Sequence, residues 1–320
     1  MLLDIVFIIV GVALVLWGAD RLTEGASALA RRMNVPEIVI GLTIVAAGTS
    51  APELFVSLVS ALKGTPDLAV GNVMGSNIMN TLLIVGVTAM VAPMVIARGT
   101  VKKDIPFSVM ASVLLVVVMM DSFLSLSISG NVISRLDGVV LLAGFIVFMA
   151  YTFIMARKGG AETPAVEEQQ PMNPWLSLLW VAVGLACLVF GSNLFVDSAS
   201  SVAQALGVSE SVIGLTIVAG GTSLPELATS VVAARKGQSA IAIGNVIGSN
   251  VFNILLILGL TALVCPMQIG GITVVDLTVM LLSVLVVWAF SYTKYTVERW
   301  EGAVLTAGYA AYLGWLLYNV

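Results

Sequence analysis

Of the chain's 18 acidic residues, only Glu53 and Glu226 fall well inside long apolar segments. An ionised carboxylate in apolar surroundings is costly unless it is paired. No lysine or arginine lies deep in an apolar segment to pair with either one. The acids are therefore protonated there, or their partner is a cation that comes and goes. Each closes the pattern Gly-Thr-Ser-x-Pro-Glu, at Gly48–Glu53 and Gly221–Glu226. Pro52 and Pro225 cannot donate a helical hydrogen bond and clash with the preceding turn. The carbonyls around Ala46 and Ala219 are accordingly expected to be loosened, with Gly48, Gly220 and Gly221 letting the backbone open. Thr49 and Ser50 precede Glu53 by four and three residues and share its helical face; Thr222 and Ser223 stand the same way to Glu226.

A second polar stripe follows each acid. Asn72, Ser76 and Asn80 are spaced i, i+4, i+8, as are Asn245, Ser249 and Asn253. Asn72, Asn77, Asn245 and Asn250 read as glue between helices, with Gly71, Gly75, Gly244 and Gly248 permitting close approach. Ser76, Asn80, Ser249 and Asn253 read as ion contacts. Two carboxylates, four hydroxyls, side-chain amides and loosened carbonyls make an all-oxygen set. That suits Ca²⁺ or Na⁺; Zn²⁺ and copper prefer nitrogen or sulfur, and Mg²⁺ sheds its waters reluctantly. Two ionised glutamates cancel one Ca²⁺ or two monovalent ions. A loaded site can thus be neutral and cross between faces, whereas an empty charged one would be trapped.

The elements that position these residues are membrane spans. The 320 residues are 59% hydrophobic and 10% charged, against about a quarter charged in soluble domains, and the mean hydropathy is +1.07. With no histidine, Ser-His and Cys-His nucleophilic sites and His-ligated zinc or haem are excluded. Cys187 and Cys265 are too few for a thiolate cluster or disulfide framework. A net charge of −4 offers nucleic acid no footprint. Apolar segments run over about 2–19, 36–62, 68–92, 106–123 and 134–156, then 174–197, 209–235, 240–264, 272–290 and 300–319. The first lacks the basic region and cleavage site of a signal peptide and is expected to remain as a helix. Between the two sets lies a polar stretch, 157–173, read as a flexible linker.

Twelve of the 14 basic residues fall in loops 1–2, 3–4, 5–6, 7–8 and 9–10; only Lys63 and Arg135 lie on the other side. Basic loops stay cytoplasmic, which places both termini outside and the linker inside. Shifted by 173 residues, the chain repeats itself: Gly41–Gly64 matches Gly214–Gly237 at 17 of 24 positions, and Gly71–Asn80 matches Gly244–Asn253 at 7 of 10. Each half holds an odd number of helices, so the halves run in opposite directions. Such repeats place a site near the bilayer midplane, at their interface. The expected fold is an all-α membrane protein of ten transmembrane helices. It comprises two inverted five-helix repeats, 1–156 and 174–320, with helices 2, 3, 7 and 8 broken and a cytoplasmic linker at 157–173.

The paired GTSAPE/GTSLPE and GNVMGSN/GNVIGSN motifs resemble the α-repeats of the sodium/calcium exchanger branch of the Ca²⁺/cation antiporter superfamily. The resemblance spans all ten segments. It implies Na⁺-driven Ca²⁺ extrusion by alternating access, with three Na⁺ exchanged for one Ca²⁺ and helices one and six sliding as gates. It implies that Glu53 and Glu226 bridge Ca²⁺ with help from Thr49 and Thr222. Na⁺ would use Ala46, Thr49, Ser50, Glu53 and Ser223 near one side, and Ala219, Thr222, Ser223, Glu226 and Ser76 near the other. Na⁺ and Ca²⁺ are then cargo, no cofactor is implied, and no obligate protein partner is evident. Several relatives carry an acid where this chain has Asn253; a carboxylate there accompanies K⁺ co-transport, so that activity is not expected. The linker leaves no room for the regulatory insert of animal exchangers, and compact length points to a prokaryotic plasma membrane. Proton/calcium or K⁺-dependent exchange is the alternative. A channel would gather its pore between subunits rather than within one chain, and a hydrolase would need a nucleophile or aspartyl dyad that this set lacks.

Overall fold

The computed structural model describes residues 2–120, 132–158, 172–207, 213, 216–217 and 219–318. Helix α1 spans Leu2–Met33, α2 Glu37–Thr49, α3 Ala51–Leu62 and α4 Pro66–Val91. Then come α5 (Ile105–Met119), α6 (Arg135–Lys158), α7 (Pro174–Ala205), α8 (Ala219–Thr222) and α9 (Leu224–Arg235). The chain ends with α10 (Ser239–Val264), α11 (Val274–Tyr292) and α12 (Arg299–Tyr318). Among the described residues six helices (α1, α4, α6, α7, α10 and α11) are long and apolar enough to cross a membrane. The bent pair α2–α3 makes a seventh.

Two features differ from the expectations above. Helices α1 and α7 each run 32 residues, so Arg21, Arg31 and Arg32 ride on α1 rather than in a connecting loop. Helices α4 and α10 are continuous, not broken. Each is instead wound as a π-helix midway, over Met79–Ile84 and Phe252–Leu258. The break after α2 does form: Ser50 leaves helical geometry, and α3 departs at 45° with Pro52 in its first turn. Ser223 likewise leaves helical geometry between α8 and α9, with Pro225 in the first turn of α9. A proline in the first turn of a helix gives up an N–H that would be unpaired anyway, so the sequence tolerates a new helix start inside the apolar layer. Most of the expected linker and the start of the 209–235 segment lie outside the described residues.

Short strands lace the halves together. Met94–Val95 pairs antiparallel with Thr296–Val297, and Val132–Ile133 with Met267–Gln268. Helix starts at these loops are capped by side chains. Thr273 and Asp276 form a reciprocal capping box on α11, and the Glu301 carboxylate accepts the Glu298 N–H at the start of α12.

Close packing brings the polar stripes together. Helices α1 and α7 lie along each other through small residues; a Cβ added at Gly184 would stand 2.7 Å from the Gly18 carbonyl oxygen. Helix α10 presses on α2 in the same manner, because a Cβ at Gly248 would come within 2.6 Å of the Ala46 Cβ. That approach seats Asn245 and Ser249 against the broken helix carrying Thr49 and Ser50. Helix α1 also packs along α9, where Lys236 reaches Asp20 at 2.6 Å. Helix α7 makes no comparable packing with α3, the matching pair of the other half.

Candidate ion-binding site

Glu53 and Glu226 are both fully buried, in the first turns of α3 and α9. Their surroundings are exchanged between the halves. Ser50, of the first half, donates to Glu226 Oε1 at 2.9 Å, and Ser249 donates to the same oxygen at 3.4 Å. Ser223, of the second half, donates to Glu53 Oε1 at 3.2 Å and also reaches Ser76 Oγ at 3.3 Å. Thr49 lies against the Glu226 carboxyl and Thr222 against that of Glu53. The serine and threonine that precede one glutamate therefore serve the other, and neither half could build this site alone.

The second oxygen of each carboxylate, Oε2, is buried with no hydrogen-bond partner. Among the described residues no lysine or arginine pairs with either acid. Buried polar atoms are nearly always satisfied in folded proteins, so an orphaned carboxylate oxygen on each acid calls for a positive partner. The side-chain donors to both glutamates are neutral hydroxyls, which do not cancel charge. Asn80 donates to Asn250 Oδ1 at 3.1 Å across the α4–α10 crossing. The Asn80 Oδ1 and both polar atoms of Asn253 and Asn77 are buried and unpartnered. Asn80 and Asn253 sit in the two π segments, and π turns recur at functional sites because they displace a side chain from the regular ladder.

Of the residues expected at the site, Thr49, Ser50, Glu53, Ser76, Asn80, Ser223, Glu226, Ser249 and Asn253 are all buried, and Thr222 is half-buried. Hydrogen bonds bring Ser50, Ser249 and Glu226 into one group and Ser76, Ser223 and Glu53 into another. Ala46 is buried, and its carbonyl keeps the Ser50 N–H at 3.0 Å. One lone pair is thus already in use, and Pro52 instead removes the donor that would serve Gly48. Ala219 begins α8. Sequence reasoning treated Asn72 and Asn245 as packing residues, but they hold the acids' backbone. Asn72 Nδ2 donates to the Glu53 carbonyl and Asn245 Nδ2 to that of Glu226, both at 3.3 Å. Their recurrence in Gly-Asn, immediately ahead of the ion-contact stripe, was the available signal.

A buried, oxygen-rich, net-acidic cluster between apolar helices long enough to cross a bilayer defines a multi-pass integral membrane protein of the cation-transporting class. A family model described as sodium/calcium exchanger protein matches residues 3–154 and 176–318, and the chain belongs to that family. It is a family of transporters, not enzymes, for which Na⁺ and Ca²⁺ are cargo. The chain is 40% identical to the putative antiporter CaxA of Alkalimonas amylolytica, over 83% of this chain and 82% of that one. It is 33% identical to the sodium/calcium exchanger MaX1 of Methanosarcina acetivorans, over 98% and 99%. Its fold is similar to that of the sodium-calcium exchanger NCX_Mj soaked with Na⁺ and Sr²⁺, with a TM-score of 0.83 and 31% identity over 98% of each chain.

Proposed function

We propose that this chain exchanges Na⁺ for Ca²⁺ by alternating access, electrogenically and in the direction of Ca²⁺ extrusion. The observation that carries this reading is the pair of buried glutamates, each with one satisfied and one orphaned oxygen and each approached by serine hydroxyls. Ca²⁺ takes 6–8 oxygen ligands, and Glu53, Glu226, Thr49 and Thr222 supply the inner ones. Na⁺ uses Ala46, Thr49, Ser50, Glu53 and Ser223 on one side and Ala219, Thr222, Ser223, Glu226 and Ser76 on the other. Ser249, Asn80 and Asn253 complete the polar wall.

Ten spans arranged as two inverted repeats, 1–156 and 174–320, suit this mechanism. The exchange of serines between the halves supports it, as does the matching order of elements in each. Both termini lie outside and the linker inside a prokaryotic plasma membrane, following the basic loops. The packing of α1 along α9, reinforced by Lys236 and Asp20, without its counterpart between α7 and α3, supports a state closed toward the basic loops and open on the other side.

The test is ⁴⁵Ca²⁺ uptake into proteoliposomes under imposed Na⁺, K⁺ or H⁺ gradients, applied one at a time. Uptake driven by an outward Na⁺ gradient alone is expected. Uptake that ignores Na⁺ but follows pH, or that requires K⁺ as well, transfers the assignment to a proton-coupled or K⁺-dependent exchanger.

A further inference from the structure

Thr49 touches the Glu226 carboxyl, yet a hydroxyl binds a cation only through its lone pairs. Its proton must be taken elsewhere, and the hydrogen bonds behind it determine where. Ser230 Oγ has the Ala242 carbonyl as its acceptor, at a long 3.5 Å. Ser230 Oγ therefore accepts from Asn245 Nδ2, at 3.1 Å. The same Nδ2 donates to the Glu226 carbonyl at 3.3 Å. Both partners of that amide nitrogen are acceptors, so the side chain of Asn245 has one orientation, with its Oδ1 turned to Thr49. Thr49 Oγ1 donates to this oxygen at 3.1 Å, with the Ala46 carbonyl at 3.4 Å and the Glu226 carboxyl as the competing acceptors. With its proton held by Asn245, Thr49 presents its lone pairs to its remaining neighbours. Thr49, Ser230 and Asn245 are each 0% exposed, so water does not compete for these bonds.

The same construction stands behind Glu53. Ser57 Oγ donates to the Ala69 carbonyl at 3.3 Å, and Asn72 Nδ2 donates to Ser57 Oγ at 3.0 Å and to the Glu53 carbonyl at 3.3 Å. The two halves, repeats of one sequence, thus carry the same serine-to-asparagine link behind each acid.

We propose that Ser230 and Asn245 are positioning residues: the Ala242–Ser230–Asn245 chain presets the Thr49 hydroxyl as a lone-pair ligand, and so sets cation affinity without touching the ion. This rests on the assignment of Thr49 to the cation site made above. Removing the Ser230 hydroxyl leaves Asn245 Nδ2 held by the Glu226 carbonyl alone and loosens the amide. The Thr49 proton would then turn from Asn245 Oδ1 to the Glu226 carboxyl, and Thr49 and Glu226 would both offer the cation less.

The test is Ca²⁺-dependent thermal stabilisation of the purified full-length protein in detergent, with melting in chelator as the control for folding. Ser230→Ala is expected to weaken apparent Ca²⁺ affinity about tenfold, the scale of one hydrogen bond to a charged group. Ser230→Thr, which keeps the hydroxyl, should restore it. Thr49→Val should weaken affinity by itself, and Ser230→Ala added to it should cost nothing more, because the chain then ends on no ligand. A Ser230→Ala protein with wild-type affinity, or one whose deficit persists undiminished in the Thr49→Val background, overturns the proposal. A wild-type protein with no Ca²⁺ response would instead remove the exchange assignment, and the relay with it.

Discussion

Glu53→Gln replaces a carboxylate by a group of the same shape and isolates the role of charge. In the wild type, Oε1 accepts from Ser223 at 3.2 Å while Oε2 has no partner. The amide oxygen of glutamine can keep the Ser223 bond, so the Nε2 group takes the place of Oε2. The cation then loses an anionic ligand and meets a donor instead. Breaking a buried, compensated charge set by removing one member costs about 3–5 kcal/mol. That corresponds to a loss of roughly 150- to 4,500-fold in Ca²⁺ affinity. Stabilisation by bound ligand follows from the same number. At a Ca²⁺ concentration of 100 times the wild-type Kd the wild type gains about 2.7 kcal/mol, and the variant under about 0.3 kcal/mol. Without ions the order reverses, because the variant no longer carries an uncompensated buried charge, and it should melt at or above the wild-type temperature. Melting curves in detergent, with chelator and across a Ca²⁺ titration, measure both quantities together. A variant with wild-type Ca²⁺ stabilisation, or one that melts lower in chelator and keeps its affinity, would refute the claim that Glu53 exists to be neutralised by a cation.

Three further outcomes are expected. Exchange of three Na⁺ for one Ca²⁺ carries one net charge, worth about 2.3 kcal/mol per 100 mV, so the equilibrium Ca²⁺ ratio across vesicles should shift roughly 50-fold per 100 mV; a ratio indifferent to an imposed potential would show electroneutral coupling. Protons and cations compete for the same two carboxylates, so acidification should raise the KM for Ca²⁺ in flux assays and excess Ca²⁺ should restore the rate, whereas an inhibition that excess Ca²⁺ leaves untouched would place the titrating group elsewhere. Gly184→Val should lower the melting temperature by forcing α1 and α7 apart, since even a Cβ would stand 2.7 Å from the Gly18 carbonyl oxygen, at a cost of about 1–3 kcal/mol or more; in contrast Lys236→Ala, which removes a partly exposed ion pair with Asp20, should change stability by no more than about 1 kcal/mol.

The acids and their companions were legible because burial makes chemistry conspicuous. A glutamate inside an apolar run, twice, with Thr, Ser and Pro at fixed offsets, has few physical explanations; the expected shared face of Thr49, Ser50 and Glu53 is interrupted by the break at Ser50, and Ser50 turns to Glu226 instead. The breaks at Ser50 and Ser223 followed from proline chemistry, which acts within a single turn. Direction was not legible. Helices 3 and 8 were expected to break, yet α4 and α10 stay continuous with a π turn; of the glycines expected to permit close approach, Gly244 and Gly248 do bring α10 against α2, while a Cβ at Gly71 or Gly75 would meet nothing within 4 Å.

Composition and periodicity determined that this chain lives in a bilayer, that it is a doubled sequence, and that its reactive groups are oxygens around two acids. These are properties of residue type and of neighbours a few positions apart. Which serine serves which glutamate was decided only by the folded bundle, since Ser50 and Glu226 are 176 residues apart and meet at 2.9 Å. The same holds for the Thr49 proton, whose acceptor Asn245 lies 196 residues away and is itself oriented by Glu226 and Ser230 of α9. A contact between the halves is set by how the helices pack, and no local pattern can announce it.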